Sequence, residues 1–224
     1  MKKVLTASVI ALAASLATTV VQADILGFSL AAKGYNSKIT DNETNLESDS
    51  SINVEYSFVF EHPVPIIPNV RVAYADFSFD GQFDANSNLE SAIDQSFVEG
   101  TIYYELLDNI VELDLGLTAR MMDASLETNG YKNDSTSALL FAKVQGNLPI
   151  IGLSAGALAQ AGGNSNDSIV DAEIYVQYEF SFGLGLSAGY RVIQQELEYE
   201  SKTAKDADRE TDFEGTYVAL FYHF

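Results

Sequence analysis

Alternation with a period of two residues runs through the chain and restricts its fold more than any other feature. Between Ile52 and Glu61 the even positions are apolar and the odd ones mostly polar. Val111–Met121 repeats the pattern in the opposite phase and Val170–Phe180 repeats it again. At the end of the sequence Thr216, Val218, Leu220, Tyr222 and Phe224 share one face. Successive side chains of a strand point to opposite faces, so each segment reads as a strand with one apolar side. Over these four segments the apolar face carries no charge in 22 positions and the other face carries eight charges in 19, a segregation that implies two different environments. No helical period competes over a comparable length.

Weaker alternation fills the gaps and predicts ten strands, at about 24–35, 51–62, 69–80, 94–106, 110–126, 137–148, 152–161, 169–180, 184–198 and 212–224. In the third, Val70, Val72 and Tyr74 are out of step with Phe77 and Phe79, a change of phase that a β-bulge would produce. The seventh is rich in Ala and Gly; if it fails to pair, the count falls to eight. Connections alternate in length. Short ones fall at Pro63–Pro68, Leu107–Asn109, Pro149–Ile151 and Ser181–Gly183, and longer polar ones at Asn36–Ser50, Gly81–Ile93, Glu127–Thr136, Gly162–Ser168 and Tyr199–Thr211. Short turns at one end, longer loops at the other and an even strand number describe an all-β, closed, antiparallel up-and-down barrel of the transmembrane kind.

The N-terminus gives the expected compartment. Met1-Lys2-Lys3 is basic, Val4–Val20 is uncharged and apolar, and Val21-Gln22-Ala23 ends in a small residue. These are the marks of a secretory signal peptide over 1–23, cut before Asp24, with the barrel over 24–224. The cut removes Lys2 and Lys3 and moves the formal charge from −20 to −22. A charge so negative argues against nucleic acid as a partner, because its phosphates would be repelled. The sequence has no cysteine, so neither disulfides nor thiolate metal sites are available to it.

Alternation alone does not say which face is inside. Charges midway along the polar faces (Glu55, Asp114, Glu173) suit a lumen, and Phe58, Phe60, Tyr178, Phe180, Tyr222 and Phe224 gather near the short turns like an interfacial aromatic girdle, though without Trp. A chain in lipid must satisfy every backbone polar group, which a closed barrel does. The apolar faces are therefore expected to meet outer-membrane lipid. The inward faces then hold Lys33, Arg71, Arg120, Lys143 and Arg191 against Glu55, Glu61, Glu99, Glu105, Glu112, Asp114, Asp171, Glu173 and Glu179. About eight strands leave a lumen just filled by side chains and about 16–18 leave an aqueous channel, so ten strands favour a plug of ion pairs over a cation-preferring pore.

The ending Val218-Ala219-Leu220-Phe221-Tyr222-His223-Phe224 resembles the terminal signal, here Leu220, Tyr222 and Phe224, by which the outer-membrane barrel assembly machinery recognises its substrates. Tyr103-Tyr104-Glu105-Leu106-Leu107-Asp108-Asn109, Val111-Glu112-Leu113-Asp114-Leu115-Gly116-Leu117 and Leu148-Pro149-Ile150-Ile151-Gly152 resemble a family of small, uncharacterised outer-membrane β-barrel proteins, over nearly all of 24–224. The resemblance implies a barrel in the Gram-negative outer membrane and carries over no catalytic residues.

Enzymes on such barrels commonly pair a His with Asp, Glu or Ser in the outer half. Here His62 precedes a short turn and His223 is next to last, so both fall at the opposite rim. Glu112/Asp114 and Asp171/Glu173 are neighbours that alternation itself produces. The acidic Asn36–Ser50 loop lacks the spacing and fixed Gly of a calcium loop and reads as solvated. Gly183-x-Gly185-xxx-Gly189 has the wrong spacing for a nucleotide fingerprint. The sequence thus predicts a monomeric, non-catalytic surface barrel with no cofactor or metal, whose role is membrane integrity, adhesion or binding through its loops. A narrow porin-like pore and a soluble periplasmic ligand-binding barrel are the alternatives.

Overall fold

A computed structural model describes residues 27–42, 46–64, 66–81, 91–108, 110–126, 131–148, 152–201 and 207–224. The proposed signal peptide lies outside these residues. The strands are β1 (Gly27–Asp41), β2 (Leu46–Glu47), β3 (Ser51–Glu61), β4 (Asn69–Gly81), β5 (Ser91–Asp108), β6 (Val111–Leu126), β7 (Tyr131–Leu148), β8 (Leu153–Gly163), β9 (Ser168–Glu179), β10 (Leu184–Ser201) and β11 (Ala207–His223). β2 is a two-residue addition to β1; the other ten pair with their neighbours in chain order, all antiparallel. β11 returns to β1 from Ser29↔His223 to Asp41↔Thr211 and closes the ring. Phe28 and Phe224 exchange both backbone hydrogen bonds, at 3.0 and 2.9 Å, so the seam is paired to the last residue.

The barrel has ten strands because the Ala- and Gly-rich β8 pairs along its whole length with both β7 and β9. Apolar faces point outward: Val218 is 70% exposed and Leu115 43%, whereas Glu55 and Asp114 are each 1% exposed. The expectation of a bulge in the third strand is corrected. β4 keeps unbroken register with β5 from Asn69 to Gly81, and the register shift among the described pairs falls on β5, between Glu105 and Leu107.

The phase change after Tyr74 has another cause, because both faces of the wall exchange character at one level. Going toward the long loops, inward positions pass from Glu99 to Phe97, Arg120 to Met122, Asp171 to Ile169 and Arg191 to Ile193. Outward positions pass from Val98 to Ser96, Met121 to Asp123, Val170 to Ser168 and Val192 to Gln194. Below this level the barrel is apolar outside and ionic inside. Above it an outer tier has an acidic exterior and a buried filling that includes Ile39, Phe77, Phe79, Ile93, Phe97, Leu139, Leu197 and Phe213. Phe77 stacks on Phe213 at 4.6 Å. Alternation runs unbroken through this level; the two environments trade places.

The outer tier also makes strands longer than the sequence suggests. Residues 131–136 and 36–41, read as loop, belong to β7 and β1. At the far end of this tier β10 reaches across to β7, with Glu200↔Lys132 and Ser201↔Tyr131 paired. The β8–β9 hairpin ends beneath that contact, so fewer strands ring the narrow outer end.

Candidate functional site

The lumen concentrates the ionisable side chains, and its central feature is a closed circuit. Glu55 on β3 accepts from Arg71 on β4 at 3.2 Å, and Arg71 reaches Glu99 on β5 at 2.9 Å. Glu99 accepts from Arg120 Nε on β6 at 2.7 Å, and Arg120 Nη2 donates to Asp171 on β9. Arg191 on β10 grips Asp171 with two bonds, at 2.8 and 2.6 Å, and its Nη1 returns to Glu55. Charges alternate around the loop, so every cation lies between two carboxylates.

Further groups tie this circuit to the wall. Lys33 on β1 binds Glu173 at 2.6 Å and lies 3.6 Å from Glu55. Tyr217 on β11 donates to Glu173 at 2.6 Å, and Tyr35 accepts from Arg191 at 3.2 Å. Gln160 on β8 accepts from Arg120 Nη2 at 2.9 Å. A buried charge is tolerable only when paired and hydrogen-bonded, and this arrangement meets that condition from nine of the ten long strands. The outer side is capped by Phe97, whose ring centroid lies 4.4 Å from the Arg120 guanidinium carbon. The long-loop side of the ion-pair layer is therefore mainly apolar packing, with the buried Gln95–Gln195 amide pair within it.

Space for the long side chains comes from inward glycines. A Cβ on Gly189 would lie 2.7 Å from the Tyr217 ring and 2.4 Å from the Ile174 carbonyl oxygen, so this strand position must be bare for Tyr217 to reach Glu173.

The nine charges singled out from sequence divide into two groups. Lys33, Glu55, Arg71, Glu99, Arg120, Glu173 and Arg191 belong to the central network. Asp114 and Lys143, 3.0 Å apart, form a second group nearer the short turns, where Gln145 donates to Glu112 at 3.0 Å and accepts from Tyr175 at 2.9 Å. Glu61 accepts from Tyr103 at 2.7 Å. Glu105, expected inside, is exposed at the register shift, where the strand leaves its regular course. The Asn36–Ser50 segment is only partly a solvated loop: Asp41 is buried and paired with Arg209 from β11.

The sequence alone does not mark Gln160 as part of the network. Its signal is faint: one amide at inward parity in a run of Ala, Gly and Leu. Tyr35 and Tyr217 were hidden because a tyrosine reads equally well as core.

The remaining candidates lie apart. His62 and His223 are both at the short-turn end. His62 Nδ1 accepts from the Val64 N–H at 3.0 Å, and His223 Nδ1 is 3.8 Å from Glu179. Neither approaches the ion-pair circuit. Among the described residues no three His, Cys, Asp or Glu side chains converge as a metal site. Leu220 and Tyr222 point outward on β11 and Phe224 continues that row, with Phe224 stacked on Phe28 at 5.7 Å.

No protein-family profile matches this chain, and no curated protein matches it by sequence. Solved structures do. The outer-membrane protease OmpT of Escherichia coli aligns over 93% of this chain and 100% of its own, with a TM-score of 0.53 and 7% identity. The translocator domain of the autotransporter NalP from Neisseria meningitidis aligns over 100% and 96%, with a TM-score of 0.48 and 11% identity. Neisserial surface protein A aligns over 87% and 96%, with a TM-score of 0.35 and 14% identity. A fold assigns no chemistry by itself. What the likeness to OmpT carries is architecture: this chain is a closed, ten-stranded antiparallel β-barrel of the kind that Gram-negative outer-membrane proteins adopt.

Proposed function

We propose that this protein is a non-catalytic barrel of the Gram-negative outer membrane, exported on its 1–23 leader, with short turns toward the periplasm and the outer tier above the lipid. In this reading it conducts no ions and works through its external surface, in membrane integrity, adhesion or binding. The observation that carries it is the cross-section. The charge-alternating circuit from Glu55 to Arg191 spans the bore, and aromatic and aliphatic packing covers it on the outer side. A ten-stranded bore is narrow enough for side chains to fill. Outer-membrane lipid is the solvent for the belt, the barrel assembly machinery is the partner during biogenesis through Leu220, Tyr222 and Phe224, and the protein works as a monomer.

The test joins location to conductance. Cell fractionation places the protein in the outer membrane, with faster gel migration before boiling than after. Purified, folded protein then gives no steps in planar bilayers. Reproducible cation-selective channels would refute the sealed lumen, and a soluble periplasmic product would refute the membrane reading.

A further inference from the structure

The apolar belt is uneven around the barrel. Its outer limit runs through Tyr74, Val98 and Met121, which are cross-strand partners on β4, β5 and β6. From that row β6 stays apolar on its outward face down to Val111, about 34 Å along the strand and about 26 Å along the membrane normal at the usual tilt. β4 stays apolar only from Tyr74 to Val70, about 14 Å and about 10 Å by the same measures, against a band of about 25 Å. The wall at β4 ends too soon.

The β3–β4 turn occupies the missing stretch. Ile66 is 84% exposed, and Val64 and Ile67 are exposed beside it. Tyr104, on the outward face of β5, donates to the Ile66 carbonyl at 3.2 Å and holds the turn against the outer wall. Much of the segment either lacks an N–H or pairs it internally. Pro63, Pro65 and Pro68 have no N–H to satisfy. The His62 N–H donates to Asn69 Oδ1 at 3.0 Å, the Val64 N–H to His62 Nδ1 at 3.0 Å, and the Ile67 N–H to the Val64 carbonyl at 3.0 Å. Hydrocarbon admits backbone only where its polar groups find internal partners.

We propose that the His62–Asn69 turn is inserted into the phospholipid leaflet at the short-turn end, where Ile66 and Ile67 complete the lipid-facing wall that β4 leaves short. The occupant of this apolar surface is lipid acyl chain, continuous with the rest of the belt. The inference rests on the membrane reading above.

The chain contains no Trp, so a single introduced indole reports alone. Ile66→Trp, Ile67→Trp and, at mid-belt, Leu115→Trp are each refolded into phosphatidylcholine vesicles and checked for the heat-dependent gel shift. The probes are lipids brominated near the glycerol end or near the chain ends, and aqueous acrylamide. At 66 and 67 emission is blue-shifted, mostly lost to bromine near the glycerol end and little affected by acrylamide; at 115 the chain-end bromines quench best. If position 115 is quenched by lipid while 66 and 67 emit as in water and respond to acrylamide, the inserted turn is refuted and the barrel stands. If bromolipid quenches none of the three, the membrane reading falls and the inference with it.

Discussion

Arg191 holds Asp171 with both arms of its guanidinium, Nε to Oδ1 at 2.8 Å and Nη2 to Oδ2 at 2.6 Å, on neighbouring strands deep in the lumen. Asp171 also receives Arg120, so one carboxylate links β9 to β10 and to β6 across the bore. Removing it takes one of two carboxylate partners from each of two buried guanidinium groups and leaves the circuit with an excess positive charge. Asp171→Ala is expected to cost about 3–5 kcal/mol, because breaking a buried pair from one side leaves uncompensated charge. Urea unfolding of the barrel in lipid or detergent measures it. A loss below 1 kcal/mol would mean that water reaches this layer freely and that the circuit does not seal the bore.

Charge on the outer wall should be costly on one side of the polarity boundary and cheap on the other. Leu115 faces outward at mid-belt and Asp123 outward just beyond Met121 on the same strand. Leu115→Arg is expected to destabilise the barrel in bilayers by about 2–4 kcal/mol and Asp123→Arg by no more than about 1 kcal/mol, as outer-membrane barrels respond to depth. The comparison is made by denaturant titration in vesicles. Equal costs at the two positions would put the lipid boundary elsewhere.

The stacked pair Phe77 and Phe213 closes the outer tier from opposite sides of the seam region. Truncating a buried Phe removes its transfer free energy and leaves a cavity, so Phe77→Ala should cost about 3–5 kcal/mol. The change lies beyond the ion-pair circuit, so conductance should stay at baseline. The same titration and a bilayer recording check the two halves. Channels appearing in Phe77→Ala would show that the aromatic layer, and not the ionic one, is the barrier.

The half with the apolar exterior is the legible half. Leu113, Leu115 and Leu117 against Glu112, Asp114 and Arg120 assign each face by parity alone, because only one environment is apolar there. That logic misread Phe77 and Phe79 as evidence of a bulge. It assumes one interior, whereas this barrel has an ionic one and an apolar one in series. Lys132 to Thr136 reads as loop because both faces are polar: Asp134 and Thr136 meet water, while Asn133 turns inward. Asn133 is held in the strand by its pairing opposite Ala124 on β6, and its inward amide is received by Asp167 and the Glu198 carbonyl, at 3.2 and 2.8 Å; neither of these side-chain contacts is local in sequence. The pairing partners around the circuit were equally out of reach. Parity puts Arg120 inside, but only the closed ring brings Gln160 and Asp171 to its guanidinium.

Asp167 shows what fastens the outer end. It is buried at the tip of the β8–β9 hairpin, and its Oδ1 accepts from Asn133 Nδ2 and from the Glu198 N–H at 3.1 Å, while Oδ2 accepts from Asn164 at 2.8 Å. These bonds join β7, β10 and the hairpin just below the Glu200↔Lys132 and Ser201↔Tyr131 pairs. Asp167→Ala leaves the part-buried Glu198 N–H without its acceptor, at about 1–3 kcal/mol, and takes one of two acceptors from Asn133, so the contact between β7 and β10 should open locally. Amide exchange should quicken at Glu198 and at the ends of β7 and β10, while the strands of the apolar belt keep their protection, since local opening need not involve the whole barrel. Unchanged exchange at Glu198 would mean that backbone pairing holds the tier shut without Asp167.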